Sequence, residues 1–389
     1  MRPETAPAPA TAPPAGAWWR RPAVVHDWLT GMRGGEKVLE VLLDLLPGAP
    51  IHTLFHFPGS VSERIESRPI RTSFLQRAPG LRRHYRKYLP LFPRAVEALD
   101  LRGSDLVVST SHCVAKSCLK PAGAWHLCYC HTPMRYVWDQ QRAYFPERGD
   151  PVARLRDAVL ARLRRWDVAT AGRVDRYVAN STFVADRIRR SYGRQAEVVP
   201  PPVDVDFFTP GEGEPGTYCL AVSALSPYKR LDLAIAACER LGIELRIVGE
   251  GPERRRLERL AGPRTRLLGR LDGERLRALY RGALCFVQPG IEDFGIASAE
   301  ALACGVPVVA LDRGGVRDVV VDGEHGVLYA AADSDGAGPL AAAVDKIQKI
   351  RFNKMNLHSR AEGFSPGRFA DRLGSVLASG TLSLEGDGA

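Results

Sequence analysis

The stretch from Leu284 to Ala310 admits few folds. LCFVQP (284–289) is a short apolar run and reads as a buried strand. Phe294-Gly295-Ile296 lets the backbone turn, and Ala297, Ser298, Ala299, Ala301, Leu302 and Ala303 continue as small helix formers until Gly305 and Pro307 stop them. VPVVA (306–310) is the next strand. Strand, loop, helix, strand is the repeating step of an α/β sheet. Two glutamates lie inside this step, Glu292 on the entering loop and Glu300 in the helix, with seven residues between them.

That placement has a chemical use. A helix N-terminus offers free N–H groups and a partial positive charge, so a diphosphate can rest there. A carboxylate on the entering loop can then accept hydroxyls on one side of the diphosphate, and one a turn or two into the helix can accept hydroxyls on the other. A sugar–diphosphate–nucleoside carries hydroxyls on both sides. Two glutamates at this spacing are, alone, as ordinary as a solvated loop residue and a helix surface residue. The small residues around these two argue for close packing, and a charge among small residues needs a partner. Glu, seven residues and Glu, with Phe294-Gly295 after the first and Ala303-Cys304-Gly305-Val306-Pro307-Val308-Val309 after the second, resembles the donor-site signature of the retaining family-4 glycosyltransferases. Weaker local matches extend the resemblance over roughly residues 22–378.

At 389 residues the chain is too long for one typical core and suits two domains. The net charge is +10, carried by 46 arginines against 8 lysines among the 54 basic residues. A basic balance admits an acidic partner: a nucleotide diphosphate, an anionic lipid surface or nucleic acid. The eight cysteines (113, 118, 128, 130, 219, 238, 285, 304) show no C-x-x-C spacing, so zinc is not expected and free thiols in a reducing cytosol are. No apolar run approaches the roughly 20 residues of a membrane span. Residues 1–21 are read as a disordered Pro/Ala-rich extension without the apolar core of a signal peptide.

The first domain is expected over 22–199. AVVHDW (23–28), the glycine loop GMRGGEK (31–37) and the apolar face of Val38, Leu39, Leu42, Leu45 and Leu46 open a Rossmann-like unit. It lacks G-x-G-x-x-G, so an NAD-type site is not supported. Gly34-Gly35 is by itself an ordinary tight turn; it resembles the pair that closes over donor phosphate and acceptor in this family. LRRHYRKYLPLFPRA (81–95) interleaves cations with Tyr85, Tyr88, Leu89, Leu91 and Phe92 on what reads as one short helix. Such a pattern suits an anionic bilayer surface or nucleic acid, and equally a solvated face over packed aromatics. CYCHTPMRYVWD (128–139) puts His131 just past a strand end, where open α/β sheets place their sites. A lone histidine is more often structural. The resemblance to HTPMR-type loops implies a catalytic role for His131 and an acceptor-side one for Arg135.

Pro200-Pro201-Pro202 fixes a linker over 200–210. Asp204-x-Asp206 within it reads as structural, not as a metal pair. The donor domain is expected over 211–363, followed by a helix at 364–380, which in this fold often crosses back to the first domain, and a tail at 381–389. YCLAVS (218–223) starts the second sheet, and Lys229 and Arg230 fall at the start of a helix. Cations there oppose the dipole and need an anionic partner or open solvent; a leaving diphosphate would serve. The family carries an arginine in the preceding turn, absent here at Ala224. Lys229 matches the family lysine, and Arg230 stands in for the missing charge. Gly249 and Gly251 lie in a loop that, by resemblance, flanks the nucleotide base.

The resemblance implies a GT-B fold, two Rossmann-like domains facing each other across a cleft. It implies retaining transfer of a hexose from a nucleotide sugar onto a glycan or polyprenyl-linked acceptor in polysaccharide or cell-surface glycan assembly. His131, Lys229 and Glu292 are the expected catalytic residues. Gly34, Gly35, Arg230, Gly249, Gly251, Phe294, Gly295, Ile296 and Glu300 are the expected donor-binding residues. No metal, cofactor or nucleic acid is expected. The strings HTPMRYVWD and VSALSPYKR resemble family members that use GDP-mannose, which that resemblance implies as donor. UDP-glucose, or a non-catalytic nucleotide-binding protein of the same fold, is the alternative. The expected location is cytoplasmic, peripheral at the inner face of the plasma membrane.

Overall fold

The computed structural model describes residues 17–138, 151–214, 216–331 and 337–385. They form two compact units: one of residues up to Asn180 with Val184–Val199 and Phe369 onward, the other of Ser181–Phe183 and Pro200–Arg368. The main division of the chain therefore falls between Val199 and Pro200, at the proline run.

The first unit is built on β1 (Pro22–His26), β2 (Ile51–Thr53), β3 (Ile70–Thr72), β4 (Leu106–Ser111), β5 (Trp125–Cys130), β6 (Arg176–Ala179) and β7 (Ala196–Val198). Every paired strand is parallel and the order is β3-β2-β1-β4-β5-β6-β7. Strand order reverses between β1 and β4, so the loops leaving their carboxyl ends splay apart. β4 and β5 are buried at every residue, as a parallel sheet covered on both faces requires. Alternation splits the core: Val24, Val108 and Leu127 pack on one face with Leu39 and Leu42, and Val25 and Val107 on the other with Phe55, Phe92 and Leu160. The helix Gly34–Leu45 buries Val38, Leu39, Leu42 and Leu43 along one stripe, each worth about 1.5–3 kcal/mol of hydrophobic stabilisation.

Three sequence expectations are revised here. Residues 17–21, assigned to the disordered extension, are docked: the Trp18 indole donates to the carbonyl of Leu377 at 3.0 Å and meets Trp125 edge-on at 5.9 Å, and Trp19 is buried. Two tryptophans bury enough apolar area to offset the cost of ordering the backbone. The part of the extension before residue 17 lies outside the described residues. Residues 81–95 are not one helix but a helical turn at Leu81–His84, a 3-10 stretch at Tyr85–Leu91 and a helix beginning at Phe92. Pro90 and Pro93 cannot donate, so no continuous α-helix runs through them. The last helix spans Pro366–Glu385, beyond the expected 380, and gives Phe369, Leu373, Val376 and Leu377 to the core of the first unit.

The second unit holds β8 (Tyr218–Val222), β9 (Glu244–Val248), β10 (Thr265–Gly269), β11 (Ala283–Gln288), β12 (Val308–Leu311) and β13 (Gly326–Tyr329), all parallel in the order β10-β9-β8-β11-β12-β13. This is the doubly wound order, reversing between β8 and β11. Leu220, Phe286 and Val308 share one face with Tyr280, Ala299 and Leu302; Cys219, Cys285 and Val309 share the other with Leu231, Ile235 and Leu340. All eight cysteines are buried and free. No helix among the described residues is long and apolar enough to cross a membrane.

Candidate functional site

In the second unit the loops leaving β8 and β11 carry the charged residues singled out from sequence. The β8 loop passes through a 3-10 turn, Pro227–Lys229, and Arg230 links it to the helix Leu231–Leu241. The β11 loop runs over 289–295 into the helix Ile296–Ala303. The two loops touch at backbone level: a Cβ on Gly290 would lie 2.5 Å from the Tyr228 carbonyl and 2.7 Å from Lys229 Cα. That approach brings Lys229 Nζ onto Glu292 Oε1 as an ion pair with both side chains largely buried. Taking two charges out of water costs about as much as their attraction returns, so such a pair is weak evidence for stability. Its position at the strand-order reversal is what stands out.

Arg230, next in the chain, engages a different carboxylate. Its guanidinium is half exposed and engages Asp232 at 3.1 Å. It is also the one non-glycine residue among the described ones with a left-handed backbone, φ +50°, a conformation that costs an ordinary side chain about a kcal/mol or more.

The entry to the helix Ile296–Ala303 is shaped by Gly295, φ +101°, where a Cβ would come within 2.9 Å of Gln288 Oε1. Phe294 is buried edge-on against Phe364 at 5.3 Å, which anchors the turn and presents the first N–H groups of the helix at its open end. Glu292 is held from the other side, its carbonyl accepting from Gly315 N at 2.9 Å. Inside the helix Glu300 is buried and accepts the Tyr280 hydroxyl at 3.0 Å. Burial, and then the neighbouring Glu300 carboxylate, push the Tyr280 phenol well above its ordinary range, so it stays a donor. Gly249, φ +138°, and Gly251 lie against the β8 loop, where a Cβ would fall 1.9 Å from the Ser223 carbonyl and 2.3 Å from that of Leu225. Both positions need glycine for this close backbone approach.

In the first unit His131 follows β5, with its N–H on the Ser111 carbonyl at 2.8 Å and its own carbonyl accepting from Asn180 Nδ2 at 3.1 Å. Its Nε2 is enclosed without a hydrogen-bond partner among the described residues. A Cβ on Gly35 would lie 3.6 Å from that nitrogen and 3.9 Å from the His26 ring. Burial, with His112 and His26 as further causes, lowers His131 to about 3; at neutral pH it is an uncharged imidazole. Gly34 begins the helix whose Glu36 caps the N–H of Arg33 at 3.0 Å. Arg135 lies half-buried in the same loop as His131.

Around these sit groups that sequence reading passed over. Asp27 is buried and takes backbone N–H bonds from His112, Cys113, Val114 and Ala115 at 2.7–2.8 Å, with the His112 ring at 3.1 Å. His26 joins Thr110 through Nδ1 and lies 3.7 Å from Glu36 through Nε2. Burial works to raise the Glu36 carboxyl, but the interaction with His26 outweighs it and holds it below its ordinary value. The polar pair His26-Asp27 ending an apolar run was the available signal. In the linker, Asp204 caps a turn, accepting Phe207 N at 3.0 Å.

Residues 32–207 match the family described as Glycosyltransferase Family 4, and residues 203–361 the family described as Glycosyl transferases group 1. A D-inositol 3-phosphate glycosyltransferase of Geodermatophilus obscurus is 35% identical over 247 residues, 54% of this chain and 53% of that protein. The protein of that name from Xylanimonas cellulosilytica is 36% identical over 200 residues, 43% of this chain and 47% of that one. The chain thus spans about half the length of the curated relatives it matches. Among solved structures, sucrose-phosphate synthase of Thermosynechococcus elongatus aligns over 94% of this chain and all of that one, with TM-score 0.72 and 19% identity. HepE of Anabaena in complex with UDP aligns over 92% of this chain and 100% of that one, with TM-score 0.64 and 17% identity. These two likenesses speak to the fold. With the two matched families running unbroken from residue 32 to residue 361 over two doubly wound units, the chain belongs to the family-4 glycosyltransferases of GT-B fold.

Proposed function

We propose that this chain is a retaining hexosyltransferase that takes its sugar from a nucleotide diphosphate donor held by the second unit. The observation that carries this reading is the Lys229–Glu292 pair at the strand-order reversal, beside the open helix end at Gly295. A diphosphate there gains the helix N–H groups and the Lys229 ammonium. Glu292 and the backbone of Phe294–Ile296 then hold the sugar hydroxyls, and Glu300, oriented by Tyr280, takes the ribose. As the bond to the anomeric carbon breaks, negative charge grows on the leaving diphosphate, and Lys229 stabilises it. Arg230 adds a second charge by exchanging Asp232 for the phosphate. The leaving phosphate oxygen takes the proton of the incoming hydroxyl on the same face, which gives retention. His131, as a neutral imidazole, and Gly34-Gly35 are assigned contacts to the reacting sugar, and Arg135 to the acceptor. The scheme calls on no metal or cofactor.

The favoured donor is GDP-mannose, on the motif resemblance, with UDP-glucose as the alternative. The favoured acceptor is a lipid-linked or growing glycan at the inner face of the membrane. Residues 68–96 support this: they hold eight cations and no carboxylate, with Phe74 and Leu91 exposed. The relatives' name favours a second acceptor, a phosphorylated inositol. Incubation with each donor and each acceptor, followed by proton NMR of the product, tests the reading. An α-linked product from an α-linked donor is expected. Inversion, or turnover of neither donor, would overturn it.

A further inference from the structure

β11 is apolar until its last residue, Gln288, which shares a sheet face with Phe286 and lies beneath the helix Ile296–Ala303. The side chain is 6% exposed. Its Oε1 accepts the Ser298 hydroxyl at 2.7 Å. Its Nε2 is enclosed and has no hydrogen-bond partner among the described residues. The amide is aimed at the helix N-terminus: a Cβ on Gly295 would sit 2.9 Å from Oε1 and 3.6 Å from Nε2. A buried N–H left unpaired lowers stability, and the Ser298 contact uses only the oxygen of the amide. A glutamine there is explained by a ligand that uses the donor.

We propose that Gln288 Nε2 donates to a phosphate oxygen of the diphosphate seated at this helix end, and so sets donor affinity. The proposal rests on the donor-site reading above. A neutral amide suits the position: it strengthens the local donor field without adding a charge that would compete with Lys229 for Glu292. Ser298 holds the amide through Oε1, which leaves Nε2 as its unused donor.

The test compares wild type, Gln288→Met and Gln288→Glu in the full chain, by calorimetric titration of GDP and UDP and by thermal unfolding without nucleotide. Methionine keeps the volume and removes the donor. Glutamate keeps the acceptor for Ser298 and places an anion where the phosphate should be. Expected for Gln288→Met is a folded protein with a melting temperature lowered by the loss of the Ser298 acceptor, and an affinity about tenfold lower, the loss of one hydrogen bond to a charged group; Gln288→Glu, which keeps that acceptor, controls for the Ser298 contact. Gln288→Glu should bind more weakly still. Wild-type affinity in both variants would overturn the role of Gln288 and leave the donor site standing. A melting temperature lowered in both variants, with affinity intact in the folded fraction, would make Gln288 structural. If wild type bound neither nucleotide, the donor-site reading and this proposal would fall together.

Discussion

Lys229 lies far from Glu292 in sequence yet pairs with it, because β8 and β11 are neighbours in the sheet. Lys229→Met should lower turnover by about a hundredfold or more, in line with removal of a preorganised charge at the transition state. It should also lower the melting temperature, because the Glu292 carboxylate loses its counter-ion while largely buried, but the chain should still fold. Loss of folding instead of turnover would make the pair structural. His131 makes a different prediction. Its nitrogen stays unprotonated down to about pH 3, so the pH profile of kcat/KM should show no limb near 6.5 that His131→Gln removes. The two carboxylates were legible in sequence because one loop-helix-strand unit carries them at fixed spacing; Lys229 stood out as a cation at a helix start and by its match to the family lysine. Gln288 was not, because it closes an apolar run and reads as the end of a strand. Of the cluster of Asp27, Glu36, His112 and His131 only His131 was legible, since β1, β4 and β5 assemble it from separate stretches.

Central strands such as β1, β5, β8, β11 and β12 were written in the apolar runs, because parallel strands covered on both faces are continuously hydrophobic; the edge strands β3 and β7, half exposed, were not. Breaks were harder to read. The 81–95 segment carries a helical pattern of aromatics that Pro90 and Pro93 interrupt, and residues 17–21 follow a disordered-looking composition but carry two tryptophans. The glycine loops invite a sharper test. At Gly249 both φ and the 1.9 Å approach to the Ser223 carbonyl exclude a side chain. Gly249→Ala should cost about 2 kcal/mol or more in urea unfolding and weaken nucleotide binding by displacing the Lys229 loop. A neutral result on both counts would show that this loop has room to relax.

The last helix belongs to the first unit's core, which the family resemblance implied and no local pattern in residues 364–380 shows. Leu373 is fully buried there, so Leu373→Ala should cost about 2–5 kcal/mol while leaving nucleotide affinity unchanged. The same unit holds four histidines that burial pushes below 6.5: His52 and His126 to about 4, His131 to about 3, and His112 in the same direction. An unfolded chain takes up these protons near pH 6.5 and the folded one does not, so their contribution to stability is whole above 6.5 and declines as pH falls toward 3–4. Each proton is worth at most about 1.4 kcal/mol per pH unit. Urea unfolding at pH 7 and pH 5 should show this slope, reduced in His126→Gln; an equal slope in the variant would contradict the assignment. The central claim is that the second unit seats a nucleotide diphosphate between Lys229 and Glu300. It is tested most directly by calorimetric titration of GDP and UDP into wild type and Glu300→Ala. The account predicts that wild type binds one of the two nucleotides and that Glu300→Ala loses about tenfold or more of that affinity, GDP being the tighter if the donor is GDP-mannose. Wild type binding neither nucleotide, or Glu300→Ala binding as wild type does, would contradict it.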